Sequence, residues 1–222
     1  MIDSVVLVSG GLDSAVTAGV AVNAGSAAFL HVNYGQRTQG RELSAFTAVA
    51  DYYGIKKRLI ADIAYLNEIG GSALTDKKID VPKGDVSRTD IPITYVPFRN
   101  AHLLCIAVSW AEVLGAKDIY IGAVEEDFSG YPDCRREFFD AFEKTATLGT
   151  KPGSGIKIIT PLIKMRKSDI VKKGVALKTP FHLTWSCYKD QDIACGSCDS
   201  CLLRLRGFKE AGVPDPLTYR NF

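Results

Sequence analysis

Apolar residues recur along this chain in two rhythms. Short runs rich in β-branched residues read as strands buried on both faces of a parallel sheet. They are Val5 to Val8, Ala27 to Val32, Arg58 to Ala61, Asp118 to Gly122 and Ile156 to Thr160. Between them lie stretches with helical character, Ala15 to Val22, Arg41 to Tyr53, His102 to Leu114, Glu137 to Leu148 and Lys167 to Leu177. In the second of these Leu43, Phe46, Val49, Ala50 and Tyr53 share one face, and in the fourth Phe138, Phe139 and Phe142 read as core. Strand and helix alternate, so the expected fold is α/β, a three-layer parallel sheet with right-handed crossovers. Gly70 to Ile91 breaks the rhythm with three glycines, a proline and eight charges, and predicts a long surface loop. Gly122 to Arg136 predicts a polar loop of functional character. No repeat or low-complexity segment is present.

Composition narrows the picture only slightly. At 222 residues, 46% hydrophobic and 23% charged, the chain suits one well-cored α/β domain and a small appendage. The expected division is 1–180 for the α/β domain and 181–222 for a cysteine-bearing helical segment. A net charge of +2 argues against a polynucleotide as main partner, since such proteins usually carry a strong basic excess. The first apolar stretch is too short for a signal peptide, and no run reaches the roughly 18 residues of a membrane span. A cytoplasmic protein is expected.

Candidate chemistry begins at Ser9-Gly10-Gly11-Leu12-Asp13-Ser14, between the first strand and the first helix. Glycines let the backbone bend and approach a ligand, and the helix start supplies free amides and positive potential. Hydroxyls of Ser9 and Ser14 can donate to phosphate oxygens. No lysine follows as in Gly-x-x-x-x-Gly-Lys-Ser/Thr, and Gly-x-Gly-x-x-Gly is not met either. The hexapeptide resembles the pyrophosphate loop of ATP pyrophosphatases, which cleave ATP between the α- and β-phosphates. That resemblance assigns ATP to Val8, Ser9, Gly10, Gly11, Leu12, Asp13, Ser14, Ala15, Val16, Thr17 and Ala18.

Four of the six cysteines crowd into fifteen residues as Cys187-x7-Cys195-x2-Cys198-x2-Cys201. Such crowding in a cytosolic chain points to a metal rather than disulfides. Four thiolates suit one tetrahedral Zn²⁺ of structural type, closed to water. An iron–sulfur cluster is the competing occupant. His31, His102 and His182 lie far from the cluster and read as packing or surface residues.

Further strings extend the resemblance nearly end to end: Asn33-Tyr34-Gly35-Gln36-Arg37, Val96-Pro97-Phe98-Arg99-Asn100, Ser129-Gly130-Tyr131-Pro132-Asp133-Cys134-Arg135, Thr160-Pro161-Leu162 and Thr184-Trp185-Ser186-Cys187-Tyr188. With these the chain resembles the 7-cyano-7-deazaguanine synthase (QueC) family of the pyrophosphate-loop ATPase superfamily. It departs from the family at Leu12, Phe128 and Arg136, where glutamine, tyrosine and proline are common. The resemblance implies an adenine nucleotide alpha-hydrolase-like fold and a ligase that makes 7-cyano-7-deazaguanine from 7-carboxy-7-deazaguanine, ammonia and ATP. It also implies passage through an acyl-adenylate and an amide. Catalytic roles fall to Asp13, which orients Mg²⁺ on ATP, and to Ser14 and Lys167. Substrate contacts fall to Arg99, Asn100, Tyr131, Asp133 and Arg135. A homodimer, one structural zinc and no direct nucleic-acid or membrane partner are further expectations.

Two rivals belong beside this. A pyrophosphate-loop tRNA thiolase would use Cys134 as sulfur carrier, and a tRNA-shift assay separates it. A zinc-dependent nucleic-acid-binding module would leave the Ser9 to Ser14 loop without work, and ATP-dependent pyrophosphate release excludes it.

Overall fold

A computed structural model of the chain describes residues 1–85, 88, 90–125 and 130–220. Its centre is β1 (Ser4–Leu7), all four residues of which are buried. Side chains alternate across a strand. Val5 and Leu7 therefore join one core, with Leu104, Ala107, Ala111 and Phe139, while Val6 and Val8 join another, with Ala15, Ala18, Phe46 and Val49. Burial on both faces is why the run carries no polar alternation.

Outward from β1, one flank holds β2 (Ala27–Asn33) and β3 (Arg58–Asp62), the other β4 (Asp118–Tyr120) and β5 (Lys157–Ile159). The order β3-β2-β1-β4-β5 is parallel throughout. Helices α1 (Leu12–Ala24) and α2 (Gln39–Tyr52) cover one face. A single turn, α3 (Leu66–Ile69), packs on the other with α4 (Arg99–Leu114) and α5 (Arg136–Gly149). Beyond α1 lie α6 (Lys167–Ala176) and α7 (Asp199–Ala211), joined by Leu12, Val16, Ile170, Val171 and Phe208. This is the expected three-layer α/β architecture. Strand order reverses between β1 and β4, and crevices outside the carboxyl ends of strands form at such a switch point.

The stretch after Gly70 differs from the solvated loop its charges predict. Its described residues form no regular element, yet Ser72, Ala73, Leu74 and Thr75 are buried. Arg37 fastens it: its guanidinium donates to the carbonyls of Ala73 (2.7 Å), Asp76 (2.8 Å) and Ile79 (2.5 Å). Farther on, the Gly84 amide donates to the Ser197 carbonyl at 2.8 Å. The segment is thus a packed strap between the β2 end and the cysteine-bearing region. A local charge count could not foresee this, because the binding cation lies some forty residues upstream.

Candidate active site

The strand-to-helix turn is built as an anion cradle. Gly11 caps α1 without a side-chain bond. Ser9 Oγ accepts from the Gly11 amide (3.2 Å) and donates to Ser14 Oγ (3.1 Å), which in turn donates to the Gly11 carbonyl (3.0 Å). Among the described residues the amides of Leu12, Asp13 and Ser14 donate to no protein acceptor. Free first-turn amides and the helix dipole together favour a bound anion. Gly10 sits at φ +88°, and a Cβ there would meet the Glu42 carbonyl at 2.6 Å and the Phe46 amide at 2.9 Å. Only glycine lets α2 press directly on the loop.

Lys167, the first residue of α6, reaches back across the fold to Asp13. Its Nζ donates to both carboxylate oxygens at 2.9 Å, and the residue is only 8% exposed. The neighbouring Lys164, Arg166 and Lys172 are exposed, so Lys167 is set apart from that basic patch by burial and pairing. On α7, a Cβ at Gly207 would lie 2.4 Å from Lys167 Cγ, so α7 crosses directly over the lysine stem.

A cavity of about 290 Å³ opens beside the loop, at the carboxyl ends of β1 and β4. Ser9, Gly11, Asp13, Ser14 and Lys167 form one wall. Arg99 and Asn100, at the start of α4, form another with Tyr34, Tyr131, Cys134 and Tyr188. Arg99 donates from Nη1 to the Tyr34 hydroxyl (3.2 Å) and lies 5.2 Å from the Tyr34 ring centre and 6.0 Å from that of Tyr131. Burial pushes the phenols of Tyr34, Tyr131 and Tyr188 up, so all three stay neutral and do not discharge the guanidinium. Arg99 makes no ion pair among the described residues, and its Nε is buried without a partner. A cation so placed favours an anionic ligand.

Asp133, outside the cavity lining, and Asn100 together fix the start of α4 and with it Arg99. Asp133, buried in the turn Pro132–Cys134, accepts the Asn100 amide at 2.9 Å, a carboxylate on the positive end of α4. The Asn100 side chain returns a bond to the Asp133 carbonyl (2.8 Å) and touches Cys134 Sγ (3.4 Å). Arg135 is exposed and lies outside the cavity lining. Leu12 is buried at the α1 start among Val16, Val124 and Ile170, and Arg136 pairs with Asp140 and Thr160. Phe128 and Ser129 lie outside the described residues.

The third wall comes from the cysteine-bearing region: Trp185, Ser186, Ser200, Leu203 and Arg204. The Trp185 amide donates to the Gly10 carbonyl at 2.8 Å, stitching this region to the loop. Arg204, 2% exposed, binds both oxygens of Asp215 (2.8 and 2.9 Å) and donates to Thr184 Oγ1 (2.7 Å). Sequence reasoning quoted Asn33–Arg37 and Thr184–Tyr188 as strings but, apart from the metal ligand Cys187, gave their residues no chemistry, and it passed over Glu42, Ser200 and Arg204.

Sulfur atoms of Cys187, Cys195, Cys198 and Cys201 lie within 4.8 Å of one another, and all four residues are buried. Tetrahedral zinc, with Zn–S of about 2.3 Å, needs sulfurs about 3.8 Å apart; Cys195 and Cys201 are 3.9 Å apart. Backbone amides of Asp190 and Cys195 donate to Cys187 Sγ at 3.3 and 3.4 Å, and those of Ser197 and Cys198 to Cys195 Sγ, both at 3.4 Å. N–H donors of this kind favour thiolates. The donor set therefore fits zinc.

Comparison with known proteins follows the same lines. Residues 3–212 match the family model described as queuosine biosynthesis protein QueC. A 7-cyano-7-deazaguanine synthase of Chlorobaculum parvum is 56% identical over 217 residues, 97% of this chain and 96% of the relative. One of Chlorobium phaeobacteroides is 57% identical over 219 residues, 98% of this chain and 97% of the relative. Among solved structures, an NMN synthetase from Francisella tularensis is similar in fold, with TM-score 0.51 at 19% identity, covering 96% of this chain and 73% of that one.

Proposed function

The chain belongs to the queuosine biosynthesis protein QueC family and carries its 7-cyano-7-deazaguanine synthase function, that of a carbon–nitrogen ligase, and from that premise we propose how its cavity performs the reaction. The observation that carries the reading is one cavity lined both by an anion cradle on α1 and by Arg99, which makes no ion pair among the described residues. ATP would place its β- and γ-phosphates on the amides of Leu12, Asp13 and Ser14, with Ser9 and Ser14 turning their hydroxyls to the phosphate oxygens. The carboxylate of 7-carboxy-7-deazaguanine would lie against Arg99, whose flat fork suits it. Asn100 and Asp133 act through Arg99 by fixing the start of α4, and Tyr131 walls the same pocket. Arg135, being exposed, would reach substrate only by a change of loop conformation.

The chemistry uses what these groups supply. A carboxylate is a poor electrophile. One of its oxygens attacks the α-phosphorus, the bond to the β-phosphate breaks, and pyrophosphate leaves into the cradle. Ammonia then attacks the carbonyl carbon, loses a proton and expels AMP, leaving the amide. The amide oxygen attacks a second α-phosphorus in the same way. Loss of the remaining N–H protons and of AMP gives the nitrile. Mg²⁺ that accompanies ATP would neutralise phosphate charge, and one carboxylate plus phosphates is a usual donor set for it. Asp13 is the carboxylate at the cradle. Asp13 and Lys167 neutralise each other here; Mg-ATP would divide the pair, giving Asp13 the metal and Lys167 a phosphate oxygen. Positioning and charge neutralisation are the main tasks in such a transfer.

Zinc, held by the four cysteines, would supply no chemistry and would brace residues 181–222, which complete the cavity over the 1–180 domain. A homodimer is supported by the apolar residues that α4 and α5 leave exposed, Val113 and Leu148. The cytoplasm, where ATP is plentiful and cysteines stay reduced, suits these reactants. Among the described residues no helix is long and apolar enough to cross a membrane. Mass spectrometry of products from 7-carboxy-7-deazaguanine, ammonium and Mg-ATP tests the reading. The expected yield is the nitrile with about two AMP per molecule. A product that stops at the amide with one AMP would confine the chain to the first half-reaction.

A further inference from the structure

We propose that Glu42 recognises the amino edge of the deazaguanine ring; this rests on the synthase reading above. Among the described cavity-lining residues only Asp13 and Glu42 carry carboxylates. Asp13 is neutralised by Lys167, whereas Glu42 forms no ion pair among the described residues. Its nearest cation in sequence, Arg41, is spent on the Trp185 ring at 4.6 Å.

What holds Glu42 is neutral. Thr38 Oγ1 donates to Oε1 at 2.7 Å and Gln36 Nε2 to Oε2 at 3.1 Å. Gln36 is itself aimed, because its Oε1 accepts the Tyr34 amide at 2.9 Å. Each Glu42 oxygen therefore has one acceptor site in use and one to spare, since a carboxylate offers about four. The backbone of the same residue rests on Gly10, so the carboxylate keeps a set position relative to the phosphate cradle.

Two spare acceptors side by side match two parallel donors. A guanine-like ring presents such a pair, N1–H and the 2-amino group. Adenine does not: its N1 lone pair stands beside the 6-amino group and would face a negatively charged oxygen. Ammonium could satisfy the charge but needs no paired geometry. Glu42 and Arg99 also meet Tyr34 at different ends, the carboxylate through Gln36 and the Tyr34 backbone, the guanidinium at the hydroxyl. A ligand acidic at one end and amino-bearing at the other is complementary to that pair. Sites that hydrogen-bond a substrate group reject analogues lacking it far more strongly than apolar sites do.

The bland alternative is that Glu42, in the first turn of α2, only stabilises the helix through Thr38. Its signature would be a lower thermal midpoint with unchanged selectivity. The test compares 7-carboxy-7-deazaguanine with its analogue lacking the 2-amino group, on the wild-type chain and on Glu42→Gln. Wild type should prefer the natural substrate on the order of 10²-fold in kcat/KM. In Glu42→Gln that preference should shrink to about threefold or less, with the KM values for Mg-ATP and ammonium within about threefold of wild type. A preference kept intact in the variant, or a rise confined to the KM for Mg-ATP or ammonium, overturns the assignment. Should Glu42→Gln not fold, Glu42→Asp, which withdraws the charge by one methylene, is judged by the same criterion. A wild-type chain that converts neither compound would overturn the synthase reading, and this proposal with it.

Discussion

Asp13→Asn is expected to lower kcat at least about 10³-fold, the scale on which a group stabilising transition-state charge acts. Asparagine keeps the size and one carbonyl of Asp13 but loses its charge. It would leave Mg²⁺ with no carboxylate at the cradle, and phosphates carry most negative charge as pyrophosphate departs. The substitution also removes the counter-charge of Lys167, which is only 8% exposed. The midpoint of thermal unfolding should therefore fall by a few degrees, since breaking a buried pair is destabilising. Zinc content should stay at one per chain, because the four sulfurs are built from other elements. Pyrophosphate release, thermal unfolding and metal content separate these effects. Turnover near wild type would remove Asp13 from the chemistry.

Cys198→Ser should release the metal and, with it, activity. Cys198 caps α7, and its successors Ser200, Leu203 and Arg204 stand in the cavity wall. Structural zinc contributes folding free energy directly, on the order of several kcal/mol even when part of the segment stays packed. For a chain of this length that corresponds to a midpoint lowered by about 10 °C. The loosened region includes Trp185, whose amide is bonded to the Gly10 carbonyl, so the phosphate cradle should lose support as well. Retention of one zinc per chain together with an unchanged midpoint would contradict the assignment. A chain that lost zinc yet turned over normally would show that the third wall is dispensable.

Both outcomes touch groups that are announced locally, while much of what surrounds them is built from afar. The five strands and the helices α1, α2, α4, α5 and α6 were legible because a buried parallel strand has nowhere to hide a polar residue, as Val5 to Val8 shows, and the helices fill the stretches between. The loop and the cysteines were legible because their groups are close in sequence: each set lies within fifteen residues. Lys167 was marked, but its pairing with Asp13 spans 154 positions and depends on where α6 starts. The strap after Gly70 and the third cavity wall were not legible. Each is held by a bond from a distant element, Arg37 to the carbonyls of Ala73, Asp76 and Ile79 in one case, Trp185 to Gly10 in the other. For the same reason the cysteine-bearing segment read only as an appendage, whereas it lies against the cradle. Glu42 escaped because helical spacing explains a polar residue on α2 without asking which side faces a cavity.

Labelling the substrate carboxylate with ¹⁸O is the most direct measurement of where ATP is attacked. If the substrate's own oxygens displace pyrophosphate twice at the Ser9–Ser14 cradle, each AMP carries one ¹⁸O and pyrophosphate carries none. Recovery of ¹⁸O in inorganic phosphate beside ADP would place the attack on the γ-phosphorus and contradict it.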